Sequence, residues 1–110
     1  MAKYEVRYMF DWGSGVCVWT GNDASCELFG DYPVETEFLP VSDELKAELE
    51  RLICWYDKAL NWDDPGGPLL WDQTQIDEFN KASRVAYRRL VDELGQDYDV
   101  EFFEEGLTPG

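Results

Sequence analysis

Residues 3 to 10, Lys3-Tyr4-Glu5-Val6-Arg7-Tyr8-Met9-Phe10, decide the fold class. Tyr4, Val6, Tyr8 and Phe10 recur at period two with polar or charged residues between them, the pattern of a strand with one face in a core and one in water. Asp11-Trp12-Gly13-Ser14-Gly15 then supplies the turn residues of a hairpin loop, and Val16-Cys17-Val18-Trp19-Thr20 reads as the antiparallel return. Gly21-Asn22-Asp23 breaks that run. Residues 24 to 33 have room for a short helical turn before Pro33, and the alternation of Val34, Thr36 and Phe38 suggests a third strand over 34–39.

Beyond Pro40 the period changes. Ser42 is placed to cap a helix whose Leu45, Leu49, Leu52, Ile53, Tyr56 and Leu60 keep three-and-four spacing, with Asp43 and Glu44 in the first turn, where the helix dipole favours negative charge. Asp63-Asp64-Pro65-Gly66-Gly67-Pro68 cannot continue a helix, so residues 61–71 form a loop. Asp72 caps a second helix with the stripe Ile76, Phe79, Ser83, Ala86, Tyr87, Leu90, Val91 and Leu94, and Gly95 stops it. Residues 98–103 read as a closing strand beside the first, and 104–110 as a tail. The expected architecture is α+β: one domain over 1–110, a small antiparallel sheet of three or four strands, and two amphipathic helices on one face, in the order β-β-(β)-α-α-β.

Composition narrows function mainly by exclusion. Nine Lys and Arg against 24 Asp and Glu give a formal charge of -15. The shortage of bases is regional: none lies between Arg7 and Lys46 or after Arg89, and the region between Lys58 and the C-terminus holds only Lys81, Arg84, Arg88 and Arg89. Proteins gain affinity for phosphate backbones and anionic lipid surfaces by neutralising them with Lys and Arg, so direct nucleic-acid or membrane binding is disfavoured and a basic protein is the natural complement. High solubility is the other use of such charge.

The chain has no histidine, which removes the usual general base, the Ser-His and Cys-His nucleophile pairs and most zinc or iron sites. Cys17, Cys26 and Cys54 form no C-x-x-C spacing and read as free thiols in a reducing cytoplasm, with no secretory leader in the alternating Met1–Phe10 opening. No apolar run approaches the ~18 residues of a membrane span. No cofactor or metal site is expected. An adjacent carboxylate pair, Asp63 and Asp64 beside Trp62 and Trp71, is the one arrangement open to hydrolytic chemistry on a sugar. Asp-Asp-Pro-Gly-Gly lacks the spacing of a calcium loop, and Gly13-Ser14-Gly15 lacks the lysine and helix of a phosphate loop.

Trp12, Trp62 and Trp71 fall in loops beside Asp11, Asp63 with Asp64, and Asp72. Indoles supply buried contact area and carboxylates supply orientation and association rate, which makes Asp11, Trp12, Trp62, Asp63, Asp64 and Trp71 the candidate partner-binding set, on an anionic face of the molecule. The same rings could instead clamp their loops to the core.

The segment Tyr4-Glu5-Val6-Arg7-Tyr8-Met9-Phe10-Asp11-Trp12-Gly13-Ser14-Gly15, with Asn61-Trp62-Asp63 and Pro65, resembles a group of small acidic bacterial proteins with this opening, a resemblance that brings no activity with it. In size, acidity and lack of catalytic residues the chain is also similar to the immunity proteins of bacterial toxin systems, which implies a non-enzymatic protein that binds and blocks a toxin. Three functions compete: an occluding binder of a basic toxin or nucleic-acid-binding protein, a carboxylate hydrolase, and a self-associating domain acidic only for solubility.

Overall fold

The computed structural model describes residues 2–30, 33–103 and Leu107. The chain runs β1 (Tyr4–Tyr8), β2 (Val18–Thr20), α1 (Asp23–Phe29), β3 (Pro33–Val34), a 3₁₀ turn (Thr36–Phe38), α2 (Asp43–Asp57), α3 (Gln73–Leu94) and β4 (Tyr98–Phe102). It is the α+β architecture expected. The strands form one sheet in the order β3-β2-β1-β4.

Register sorts the two faces of that sheet. Tyr4, Val6 and Tyr8 stand opposite Tyr98, Val100 and Phe102, while Glu5 and Arg7 stand opposite Asp99 and Glu101. Side chains alternate along a strand, so the first set turns to the core and the second to solvent. Helices α2 and α3 cover the apolar face with Leu45, Leu49, Leu52, Ile53 and Tyr56 from one and Ile76, Phe79, Ser83, Ala86, Leu90 and Leu94 from the other. Val91, assigned above to the α3 stripe, is exposed, and Tyr87 is half-buried, its hydroxyl donating to the Val100 carbonyl at 3.0 Å.

Caps stand where the sequence puts them. Ser42 Oγ accepts from the Leu45 amide, and Asp72 and Gln75 exchange side-chain to backbone bonds in a capping box. Gly95 ends α3 at φ +80°, a backbone region that non-glycine residues rarely adopt. Asn22 and Ser25 form a second capping box that starts α1, the short helical turn for which residues 24 to 33 have room. The same Asn22 amide accepts from Glu5 N–H and donates to the Lys3 carbonyl, fastening α1 to the first strand.

Strand direction departs from the expected antiparallel sheet: β4 runs parallel to β1. The helices decide this. Ser42 at the start of α2 donates its amide to Glu93 near the end of α3 at 2.6 Å, and Trp55 near the end of α2 meets Trp71 just before α3, so the two helices are antiparallel. The chain therefore leaves α3 beside the start of β1, where Tyr4 N–H donates to the Asp97 carbonyl, and β4 proceeds in the direction of β1. The third strand is also shorter than expected: Val34 pairs with Val18, and the chain then tightens into the 3₁₀ turn, with Phe38 N–H bonding the Glu35 carbonyl. The expected tail at 104–110 lies outside the described residues except for Leu107, which packs against the core.

At the centre, Tyr8 is fully buried and its hydroxyl meets both the carbonyl and the hydroxyl of Ser83 at 3.0 Å. Burial pushes the Tyr8 phenol, and the Cys17 thiol, to higher pKa. Phe79 is the hub of an aromatic layer, touching Phe10, Trp55, Tyr56 and Trp71 with ring centroids 5.1 to 5.5 Å apart. No described helix is long and apolar enough to cross a membrane.

Candidate functional site

The loop after β1 and the loop after α2 meet at the C-terminal end of α2. Helices end with unsatisfied carbonyls, and α2 has neither a glycine stop nor a basic residue in its last turn to satisfy them. The Lys58 and Ala59 amides bond the Trp55 and Tyr56 carbonyls, and two indoles add to them. Trp12 Nε1–H donates to the Tyr56 carbonyl at 3.0 Å, and Trp62 Nε1–H donates to the Asp57 carbonyl at 2.9 Å. Trp12 also stacks on the Tyr56 ring, with centroids 4.9 Å apart and planes 12° from parallel.

Asp57 holds the junction together. Its carboxylate accepts the Gly13 amide at 3.2 Å, while Gly13 itself, at φ +80°, lies against the Trp62 ring, where a Cβ would stand in ordinary contact, 3.5 Å from Cη2. Asp57 was absent from the candidate set because the sequence places it inside a helix pattern. Its proximity to residues 11–15 is purely tertiary. In the loop after α2, Asn61 Oδ1 accepts the Asp63 amide, its carbonyl accepts the Asp64 amide, and the Asp64 carbonyl accepts the Gly67 amide, a succession of tight turns. The Asp64 carboxylate lies over Gly67, where a Cβ would collide with it.

Four of the five tryptophans are thereby accounted for structurally. Trp19 is buried with its indole bonded to the Met9 carbonyl, Trp55 is half-buried under the Arg51 guanidinium, and Trp12 is half-buried against Tyr56. Trp71, a candidate partner-binding residue in the sequence, is only 5% exposed and packs on Phe79 and Trp55. It anchors the loop to the core, the clamping role that the sequence also allowed. Trp62 remains 55% exposed, so the structure gathers Asp11, Trp12, Asp57 and Trp62 at one end of the molecule with exposed Asp63 and Asp64 following in the same loop.

The expected anionic face is not a discrete patch. Exposed carboxylates occur on the solvent face of the sheet (Glu5, Asp99, Glu101), on α1 (Asp23, Glu27) and on the outer side of α3 (Asp77, Glu78, Asp92). What is regional is the absence of bases. Among the described residues no group of three or more Cys, Asp or Glu could hold a metal ion.

A family model described as Serratia CdiI immunity protein-like matches residues 4–105. The chain belongs to this family. No curated protein matches it closely enough to add a relative. The family span runs from the first residue of β1 past the end of β4, and it includes both loops of the junction at α2.

Proposed function

We propose that this chain is a cytoplasmic, non-enzymatic immunity protein that neutralises a bacterial toxin of basic character by binding it and occluding its working surface. The family match over 4–105 is the observation that carries the reading. Physical chemistry supports it in two ways. The charge of -15 attracts a cationic partner from all sides, which raises association rates without requiring a patch. The junction at the end of α2 presents Asp11, Trp12, Trp62, Asp63 and Asp64 on a frame fixed by Asp57, so little ordering is left to be done on binding.

Co-expression tests the reading directly. The chain should restore growth to cells making the co-produced toxin domain, and the purified pair should associate about tenfold or more slowly when salt is raised from ~50 to ~500 mM. A toxin domain that remains fully active in the presence of excess chain would reject the proposal. Asp63→Lys with Asp64→Lys tests the junction within it: unchanged affinity removes these two residues from the contact.

A further inference from the structure

The two stretches of sequence without Lys or Arg, residues 8–45 and 90–110, converge on one apolar groove. Leu28 and Phe29 of α1, Phe38 of the 3₁₀ turn and Pro40 come from the first stretch, and Tyr98 at the start of β4 comes from the second. Together they line a groove of about 380 Å³. Phe29 and Tyr98 form its base, ring centroids 6.3 Å apart and both packed against the core. Phe38 is 65% exposed and Leu28 50% exposed.

Trp62 has a helix carbonyl to satisfy, whereas Leu28 and Phe38 have no polar atom to explain their exposure. Removing such side chains from water is favourable, so two of them left open beside a groove favour a covering surface. The charges around them say which kind. Glu37 and Asp97 adjoin Phe38 and Tyr98 in sequence and are exposed, as is Glu35 three residues before Phe38, whereas Glu27 shares the far side of Leu28 with Lys3. Two bases approach: Lys46 Nζ donates to the Glu37 carbonyl at 3.0 Å, and Lys3 lies 5.2 Å from the Tyr4 ring on the other side of Leu28. The segments that form the groove carry carboxylates and no base of their own, and Lys46 is the base that reaches them from α2. The comparable groove between α2 and α3 carries Glu48 and Glu78 with Lys81 and Arg89, and so has no such preference of sign.

We propose that the groove of Leu28, Phe29, Phe38, Pro40 and Tyr98 is the anchor site for the toxin, taking an aliphatic or aromatic side chain that the toxin presents between lysines or arginines. The assignment rests on the immunity reading. A second copy of the chain is the poorer occupant, since two surfaces of one strongly acidic protein repel.

Two measurements test it. In an amide NMR titration with the hexapeptide Ac-Lys-Lys-Phe-Leu-Lys-Lys-NH2, the largest shifts should fall at residues 28, 29, 38 and 98, and Ac-Lys-Lys-Ala-Ala-Lys-Lys-NH2 should bind at least about fivefold more weakly. Equal binding of the two peptides, or shifts confined to the Trp62 end, would overturn the groove's chemistry. Against the co-produced toxin domain, the Leu28→Ala, Phe38→Ala double variant, shown by circular dichroism to be folded, should lose about tenfold or more in affinity. If wild-type chain binds the toxin and the double variant binds equally, the groove assignment alone fails. If wild-type chain does not bind the toxin, the immunity reading fails, and the peptide titration still reports on the groove. A wild-type dimer in sedimentation equilibrium that the double variant abolishes would give the groove to a second copy instead.

Discussion

The two ends of α2, about 22 Å apart for 15 residues at ~1.5 Å each, use their large apolar side chains in opposite ways. At the C-terminal end, Trp12 and Trp62 are hydrogen-bonded to helix carbonyls, and Trp12 stacks on Tyr56, which packs on Phe79. At the N-terminal end, Phe38 and Leu28 stand open over a groove and satisfy nothing. A tryptophan in an acidic loop attracts attention as a binding residue, yet its N–H makes it the better structural clamp. The plain hydrocarbon side chains, which look in the sequence like ordinary core residues, are the ones left facing water.

That contrast can be broken at the tryptophan end first. Phe79→Ala removes the ring on which Phe10, Trp55, Tyr56 and Trp71 all pack, and it should cost about 3–5 kcal/mol in urea unfolding. A loss below ~1 kcal/mol would mean that this end is not an integrated layer. Trp12→Ala should cost about 2–3 kcal/mol through loss of the stacked contact and the bond to the Tyr56 carbonyl. Trp62→Ala, with the same kind of bond on a ring that is mostly exposed, should cost only about 1 kcal/mol or less. If the two were equal, exposure would not separate clamp from surface residue.

At the groove end the expected effects on stability are smaller. Leu28→Ala and Phe38→Ala should each change stability by no more than about 0.5 kcal/mol, since both side chains are already largely in water. A larger loss would move them into the structural class of Trp12. Glu93 gives the smallest effect and a pH signature. Its carboxyl is held below the usual carboxylate range chiefly by the Ser42 amide, with the Ser42 hydroxyl and Arg89 adding to it. A depressed folded-state pKa stabilises above the unfolded value, and that contribution is lost as pH falls through the folded one. Glu93→Gln should therefore flatten part of the acid limb of the stability profile and leave the alkaline limb unchanged.

Much of the fold was legible because local rules were enough for it. The period-two run through Tyr4 to Phe10, the stripe Leu45 to Tyr56, and the caps Ser42, Asp72 and Gly95 each follow from side-chain alternation, helical spacing or the geometry of one turn. The site was less legible. Asp57 joins Gly13 across 44 positions, and Trp71 turns inward because Trp55 and Phe79 lie beneath it, neither of which any window of sequence contains.

The amino-acid order by itself determined the first and last strands, the two long helices with their caps, the absence of histidine chemistry and the excess of negative charge, all of which depend on residue identity and short-range spacing. Only the tertiary structure decided that β4 runs parallel to β1, that the indoles of Trp12 and Trp62 close α2, and that two base-free stretches meet over Leu28, Phe38 and Tyr98. Strand direction and surface neighbours are set by how α2 and α3 pack against the sheet, an outcome of many weak contacts between residues far apart in the chain.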